Sequence, residues 1–462
     1  VQRNRAMSNQ FKEQGGAATM DPSRLRRWIA SKFMTSMIDP EKLKQKRRQQ
    51  ELGRIKRGAK HVVEYFHQVD DGYSHLAAQA LKALTEKYDI ELECHLVSGP
   101  LGANAVEPEL LVELSRYDSS KIAPHYGLSF PENLPVPSQI SINLAASIYA
   151  ALDGQGFVNH AKQIGDALWS SNDSALDSLA AALGRASELD LKAKIEAGNA
   201  RREDLKHYSG AMFYYAGEWY WGVDRLYHLE NRLSELGGDK QVQMPLIAPR
   251  QEITSGDVRD NGSLTLEVFA SLRSPYTSIA FDRAIALAKD TGVTLHVRPI
   301  LPMVMRGVPA TNEKGIYIFT DTAREARAAS VPYRRFYDPI GEPVRRCYSL
   351  YPWACSLGKG NQLLSSFLRA AFVDGVNTNT ERGLKSVVEN AGLDWMDAKP
   401  LVGQDGWQQA LEDNRLAMYD SGLWGAPSFR LLDSDKKPVL ALWGQDRLWL
   451  VAREIQNLLT NK

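Results

Sequence analysis

An internal repeat is the feature that most constrains what this chain can fold into. Shifting the sequence by 203 positions aligns residues 62–97 with 265–300 without a gap, and seven of these 36 positions are identical. The ends of the two halves also match, since WGVDRL at 221–226 corresponds to WGQDRL at 443–448 with five identities in six. Because the matched segments occur in the same order, the sequence predicts two copies of one fold with insertions between the matched ends.

Each half begins as a strand, a helix and a second strand. A β-branched and aromatic run leads into an alanine-rich helical pattern and then into an alternating strand. Long helical stretches, at 107–207 and 325–421, separate this start from two final short strands and a terminal helix. The predicted strands are His61–His67, Ile90–Val97, Met212–Tyr215 and Trp219–Trp221 in the first half, and Ser263–Ala270, Val293–Ile300, Ser428–Leu432 and Val439–Leu442 in the second. This order of elements indicates an α/β layer fold.

Changes in composition along the chain divide it into five segments. We predict a flexible tail at 1–20, a basic helical segment at 21–58, a first domain at 59–236, a linker at 237–262 and a second domain at 263–462. The linker is rich in Gly, Pro, Asp and Gln. Asp21-Pro22 and Asp39-Pro40 each pair a capping residue with a proline, and therefore predict two helix starts in the basic segment.

The basic segment gives the chain a strong charge asymmetry. Residues 1–60 hold 16 Lys and Arg against 5 Asp and Glu, although the whole chain is close to neutral. An apolar stripe at helical spacing runs through it: Leu25, Trp28, Ile29, Phe33 and Met37. Such a helix either packs its apolar side on its own protein, the interpretation favoured here, or lies on an anionic membrane. No recognition motif accompanies the basic run, so we expect no specific nucleic-acid partner.

Composition and cysteine usage exclude several classes of protein. The chain is 44% hydrophobic and 24% charged, which is typical of a globular protein and not of a disordered one. No apolar stretch reaches the roughly 18 residues expected of a transmembrane helix. Cys94, Cys347 and Cys355 match neither a disulfide framework nor a metal-ligand spacing, and no Cys-x-x-Cys pair is present. We therefore expect a cytoplasmic protein with no metal site, no transmembrane segment and no dithiol chemistry.

Three short segments of the second half carry residues suited to chemistry. Ser274 follows a predicted strand and precedes a helix that begins at Pro275, so its hydroxyl either caps the helix or binds an anion such as a thiolate there. Pro427, in Gly425-Ala426-Pro427, is either an edge residue or the site of a cis bond. Gly444-Gln445-Asp446-Arg447 opens the last helix, where backbone N–H groups can bind a carboxylate.

As an ordered set, these three segments resemble a thioredoxin-fold group. The group contains the kappa-class glutathione transferases and the 2-hydroxychromene-2-carboxylate isomerases, and it is classed with the DSBA-like thioredoxin domain. The resemblance covers residues 264–459 well and 62–236 more loosely. It implies two tandem thioredoxin-like domains of α/β class, each with a helical insertion, preceded by the basic helical segment.

The resemblance also implies roles for individual residues. Ser274 would be the catalytic residue that donates a hydrogen bond to the sulfur of the cofactor glutathione. The remaining cofactor contacts would come from Ala426, Pro427, Gln445, Asp446 and Arg447. A hydrophobic substrate pocket would be lined by Tyr276, Trp353, Trp424 and Trp443. The asparagine that the family carries after the second strand has no match at 302–309, where Arg306 and, just beyond, Asn312 are the alternatives.

The implied function is a glutathione-dependent isomerase or transferase that acts on a hydrophobic or aromatic small molecule. The alternative is a non-catalytic thioredoxin-like module that binds a peptide or protein partner. Because single-domain members of the group are homodimers, we predict either a monomeric pseudo-dimer or a homodimer.

The first half of the chain differs from the second at the positions that correspond to Ser274 and Pro427. Asp71 stands where the second half has Ser274, and a carboxylate there would raise a thiol pKa instead of lowering it. Met212 replaces Pro427, which makes a cis bond improbable. We expect this half to be structural; the alternative is a separate acid/base site formed by His67 and Asp71.

Overall fold

The computed structural model of the 462-residue chain describes residues 21–241 and 244–460, so the predicted tail at 1–20 lies outside the described residues. The described residues form two compact units. The first unit lies within Lys44–Gln251, and the second unit combines the described residues up to Leu43 with those of 252–462. Within the parts described, no helix has both the length and the apolar character needed to cross a membrane.

The elements of the chain up to Gln251 alternate between short strands and longer helices. In chain order they are α1 (Arg24–Met37), α2 (Pro40–Lys56), β1 (His61–His67), α3 (Gly72–Lys87), β2 (Ile90–Leu96), α4 (Pro108–Ile122), α5 (Gln139–Ala151), α6 (Gly154–Trp169), α7 (Asp173–Leu183), α8 (Glu188–Asp204), β3 (Met212–Tyr215), β4 (Glu218–Trp221) and α9 (Gly222–Glu235). Two short 3₁₀ turns, Gly102–Asn104 and Ala123–Tyr126, flank α4.

The elements after Gln251 repeat this pattern. They are β5 (Thr265–Ala270), α10 (Pro275–Thr291), β6 (Thr294–Pro299), α11 (Asn312–Ala328), α12 (Glu342–Ser356), α13 (Gly360–Arg369), α14 (Glu381–Asn390), α15 (Trp395–Ala398), α16 (Gln408–Tyr419), β7 (Ser428–Leu432), β8 (Pro438–Trp443) and α17 (Leu448–Thr460). Short 3₁₀ turns lie at Met303–Arg306, Lys399–Leu401 and Gln445–Arg447, and a π-helical turn lies at Ala370–Asp374.

Each unit is built on a four-stranded mixed sheet of the same topology. The strand orders are β2-β1-β3-β4 and β6-β5-β7-β8. In both sheets the first two strands are parallel, and the third strand runs antiparallel to the central one and to the fourth. The parallel pair requires a crossover, which α3 and α10 provide. All six residues of β5 are buried, so the core of the second unit lies on both sides of this strand.

The strands agree with the sequence-based expectation to within two residues at every end. The helical stretch of the second half is the larger difference, because α11 begins at Asn312 and not near residue 325. Thr311 caps this helix by accepting a hydrogen bond from the Lys314 N–H at 3.3 Å. The observed strands and helices confirm the predicted mixed α/β class, with two four-stranded sheets.

The first helix begins at a different residue from the one predicted. Ser23, and not Asp21, caps α1 by accepting a hydrogen bond from the Arg26 N–H at 3.4 Å. Asp21 is engaged elsewhere, since its carboxylate accepts from Arg27 at 3.1 Å and from the Glu342 N–H at 2.8 Å. The Asp21-Pro22 pair therefore predicted the start of α1 correctly to within two residues. The Asp21 carboxylate does not cap the helix, because it accepts hydrogen bonds from Arg27 and the Glu342 N–H.

A buried glutamate lies in the central strand of each sheet. Glu267 on β5 accepts from Arg298 Nε at 2.5 Å and from Arg430 Nε, which belong to the two neighbouring strands. Glu64 on β1 accepts two hydrogen bonds from Arg201, at 2.7 and 2.8 Å. Burial alone would raise the pKa of both carboxyls. Hydrogen bonds with His95 and Arg201 for Glu64, and with His296, Arg430 and Arg298 for Glu267, outweigh it and hold each pKa at about 2.

Candidate active site

The N-terminus of α10 presents the Ser274 hydroxyl. Ser274 ends the loop after β5 and caps the helix, because its Oγ accepts a hydrogen bond from the Thr277 N–H at 3.2 Å. The same hydroxyl donates to the carbonyl oxygen of Ala426, 2.8 Å away and 152 residues further along the chain. The side chain therefore acts as a helix cap and also fixes the loop before β7 to this helix.

Two further backbone features lie where the three segments singled out from the sequence meet. The Ala426–Pro427 peptide bond is cis. The Pro427 carbonyl accepts a hydrogen bond from the Gly444 N–H at 3.0 Å, which ties the start of β7 to the end of β8. The structure thus brings together all three segments that the sequence singled out. Ser274 forms a hydrogen bond to the segment of Pro427, and that segment forms a hydrogen bond to the segment of Gly444.

The third segment turns sharply into the last helix. Gly444 has a φ of +112°, and a Cβ atom at this position would lie 2.5 Å from Asp446 Oδ1. Only glycine fits this backbone without strain. Asp446 keeps 19% of its side chain exposed, and its Oδ2 lies 3.8 Å from Arg447 Nη1.

Gln445 and Arg447 are less accessible than their predicted binding roles suggest. Both are buried. Gln445 donates to Glu325 Oε2 at 2.8 Å and accepts from Arg283 at 3.2 Å. Arg447 donates to the Asp446 carbonyl at 3.1 Å. In this arrangement both side chains brace the turn that carries Asp446, and their direct contact with a cofactor stays a prediction.

The predicted aromatic pocket residues are only partly brought together. The indole rings of Trp424 and Trp443 lie 4.9 Å apart between centroids. A Cβ on Gly425 would lie 2.3 Å from Trp443 Nε1, so glycine lets this ring approach the backbone. Tyr276 donates its hydroxyl to Asp321 at 2.8 Å. Trp353 is half-buried on α12 and makes no ring contact with the other three among the described residues.

Arg306 occupies the region where the resembled family carries its asparagine. Its guanidinium donates to the Leu301 carbonyl at 3.2 Å and to the Trp424 carbonyl at 3.4 Å. Burial lowers the pKa of Arg306 from its ordinary value. Asn312, the other alternative, is exposed at the first position of α11. Of the two, Arg306 is the residue that contacts the segment leading to Pro427.

Sequence reasoning missed the ion pair beside Ser274. Arg273 forms a bidentate pair with Asp338, with N–O distances of 2.8 and 2.9 Å. Burial alone would raise the pKa of the Asp338 carboxyl, but the Arg273 guanidinium holds it below its usual value. The partners are 65 residues apart, so no local pattern could have indicated the pair.

The corresponding position of the first unit has a different chemistry. Asp71 caps α3 and accepts hydrogen bonds from the Ser74 N–H at 2.9 Å and the Ser74 hydroxyl at 2.8 Å. Burial raises the pKa of Asp71 to about 6 and lowers that of His67 to about 3. His67 lies 3.0 Å from the Tyr65 hydroxyl, so the described hydrogen bonds do not join it to Asp71.

A second polar cluster lies on the sheet of the first unit. Ligand atoms of Glu64, Glu93 and His95 come within 4.8 Å of one another, a spacing that a metal ion could use. However, both Glu64 oxygens already accept hydrogen bonds from Arg201. A cation placed there would face this guanidinium, so the arrangement favours an ion-pair network over a metal site.

The three cysteines do not resemble reactive thiols. Burial raises the pKa of Cys94 to about 12 and also raises that of Cys347. Burial likewise raises the pKa of Cys355, although this residue is exposed. Burial therefore disfavours the thiolate form of all three cysteines.

Residues 265–456 match the family described as the DSBA-like thioredoxin domain. Solved structures similar to part of the chain include 2-hydroxychromene-2-carboxylate isomerase, with 19% identity over 42% of this chain and 95% of that chain and a TM-score of 0.36. The cytosolic disulfide reductase DsbM from Pseudomonas aeruginosa has 19% identity over 43% and 98% of the two chains and a TM-score of 0.34. A probable DsbA oxidoreductase from Streptomyces coelicolor has 16% identity over 42% and 90% and a TM-score of 0.33. No curated protein matches the chain. The second unit thus contains a DSBA-like thioredoxin domain.

Proposed function

We propose that the second unit binds glutathione at the junction of its three site segments and serves as a glutathione-dependent isomerase or transferase for a hydrophobic small molecule. The observation that carries this proposal is the position of the Ser274 hydroxyl, which caps α10 and bonds to the residue before the cis proline. A helix N-terminus stabilises a negative charge, and a hydroxyl at that point can donate a hydrogen bond to it.

The residues present fit the parts of glutathione. The Ser274 hydroxyl would hold the sulfur, the backbone at Ala426 would pair with the cysteinyl residue, and the Asp446 carboxylate would bind the α-ammonium group. Arg306 and Arg447 would keep the loops before β7 and α17 in place. When bound, glutathione would supply a thiolate nucleophile to an unsaturated substrate. The half-buried Trp443, whose ring packs against the buried Trp424, offers an apolar surface for such a substrate.

Binding would require one exchange within the site. The Ser274 hydroxyl has a single proton, which it donates to the Ala426 carbonyl. To hold a sulfur, the hydroxyl must turn away from this carbonyl. The Ala426 carbonyl is then free to accept a hydrogen bond from the ligand backbone. We therefore expect one internal hydrogen bond to be replaced by two hydrogen bonds to the ligand.

We also propose that the two units are tandem thioredoxin-like copies of which only the second carries the site. The matching strand orders, the shared central glutamates and the sequence repeat support a duplication. Asp71, whose pKa is raised, replaces Ser274 in the first unit. The first copy would accordingly be structural.

Isothermal titration with reduced glutathione tests this proposal. We expect saturable binding in the millimolar range. Ser274→Ala should weaken it roughly tenfold or more, because a hydrogen bond to a charged group is lost. Asp446→Ala should weaken it to a similar degree.

Two control variants make the test specific. Ser278→Ala removes a hydroxyl from the first turns of the same helix, where it donates only to Pro275 O, and should bind normally. Asp224→Ala removes the residue of the first unit that matches Asp446. Circular dichroism checks that Ser274→Ala remains folded, since loss of a cap alone costs about 1 kcal/mol. An absence of binding, or equal weakening by the control variants, would rule out glutathione at this site and leave the non-catalytic binding module.

A further inference from the structure

The helix α1 is attached to the second unit by its polar side. Arg27 is 2% exposed, and its guanidinium donates to the carbonyl oxygens of Asp338 at 2.6 Å and Ile340 at 2.7 Å. One turn later, the Ser31 hydroxyl accepts from the Asp338 N–H at 3.0 Å. After another turn, Thr35 accepts from the Phe336 N–H at 3.0 Å. Three polar side chains at i, i+4 and i+8 therefore form the attachment.

The opposite side of α1 exposes a row of large apolar side chains. Their exposed fractions are Leu25 65%, Trp28 51%, Ile29 52% and Phe33 59%. A surface helix normally buries its apolar stripe and exposes its polar one. The amphipathic pattern of the sequence favoured that arrangement for α1, and the structure contradicts it. A contiguous apolar patch on a helix points to an interaction surface.

The charge on this helix indicates what the surface can contact. The sequence of α1 contains no Asp or Glu, and Arg24, Arg26 and Lys32 are exposed beside the apolar row. A second copy of the chain placed on this side would bring like charges together. An anionic bilayer provides both an apolar interior for the four side chains and a complementary charge for the basic ones.

We infer that α1 lies in the headgroup region of an anionic membrane and attaches the second unit to it. The helix has 14 residues, or about 21 Å, which is too short to span the hydrocarbon core but suits a helix lying in the interface. Trp28 is of the residue type enriched at this depth. The polar attachment through Arg27, Ser31 and Thr35 leaves the whole apolar row available for insertion.

Co-sedimentation of the full chain with lipid vesicles tests this inference. We expect binding to vesicles of equimolar phosphatidylglycerol and phosphatidylcholine, and weaker binding to phosphatidylcholine alone. Trp28→Ser combined with Phe33→Ser should lower the partition coefficient at least tenfold. Arg24→Glu combined with Lys32→Glu should remove the preference for the anionic lipid, and added salt should weaken the binding of the unaltered chain.

A matched control uses exposed apolar residues outside α1. Ile140→Ser with Leu189→Ser alters two side chains that are even more exposed, on α5 and α8, and should leave vesicle binding unchanged. An absence of binding to the anionic vesicles, or equal loss in this control, would overturn the inference. A concentration-dependent dimer without lipid, abolished by Trp28→Ser with Phe33→Ser in light scattering, would assign the surface to a second copy and overturn it as well.

Discussion

Replacement of Glu230 by alanine is expected to lower the free energy of unfolding of the first unit by about 3 to 5 kcal/mol. Glu230 on α9 has no exposed surface. Its carboxylate accepts from Lys87 Nζ at 3.0 Å, from the Tyr88 hydroxyl at 3.2 Å and from the backbone N–H groups of Ile247 and Ala248 at 3.0 to 3.2 Å. The alanine variant would leave the buried ammonium of Lys87 and two backbone N–H groups without this carboxylate partner.

Hydrogen exchange and urea unfolding together measure this effect. The amides of Ile247 and Ala248 should lose protection first, because Glu230 is the acceptor that holds this segment. Glu235→Ala, one helical turn later and exposed, is the matched control and should change stability by no more than about 0.5 kcal/mol. If both variants unfold at the same urea concentration with unchanged exchange, Glu230 does not have this role.

The second large effect concerns Glu267 in the sheet of the second unit. We expect Glu267→Gln to cost about 3 kcal/mol at neutral pH, since it leaves Arg298 and Arg430 without their carboxylate. Because the folded-state pKa is about 2 and lies below the unfolded value, the carboxylate stabilises the fold fully above about pH 4.5. This contribution is lost as the pH falls toward 2.

Chemical denaturation at several pH values tests both parts of this expectation. The unaltered chain should lose stability steeply between about pH 5 and pH 2, and Glu267→Gln should show a shallower loss over the same interval. Glu389→Gln removes a carboxylate that pairs with Lys385 at 3.6 Å on the surface, and should follow the unaltered profile. A Glu267→Gln profile parallel to that of the unaltered chain would contradict the assigned pKa.

Local sequence signals predicted the sheets well. Alternation of β-branched and aromatic residues set the bounds of β1, and the repeat transferred that assignment to β5. The resemblance to a thioredoxin-fold group singled out the segments of Ser274, Pro427 and Gly444 as an ordered set. In the structure, hydrogen bonds join Ser274 to Ala426 and Gly444 to Pro427. Such signals succeed because they reflect backbone preferences and burial, which are properties of neighbouring residues.

Contacts between residues that are far apart in the chain could not be predicted from local sequence patterns. The Arg273–Asp338 pair and the partners of Glu230 depend on how separate elements pack. The periodicity of α1 showed that the helix is amphipathic, but it could not show which side faces the protein. The answer depended on Arg27, because the carbonyl groups to which it donates, those of Asp338 and Ile340, lie more than 300 residues away. The predicted cap of α1 was wrong for the same reason, because the Asp21 carboxylate accepts hydrogen bonds from Arg27 and from the Glu342 N–H.

Asp338 connects α1 to the residue before Ser274. Its backbone is bonded to Arg27 and Ser31 of α1, and its carboxylate is bonded to Arg273, the residue before Ser274. A helix resting on lipid, as inferred above, would therefore keep Ser274 near the bilayer surface. Apolar compounds concentrate in lipid far above their aqueous level, so under the proposed function an apolar substrate would reach Ser274 from the membrane surface. Turnover would then follow the surface concentration of the substrate and not its solubility in water.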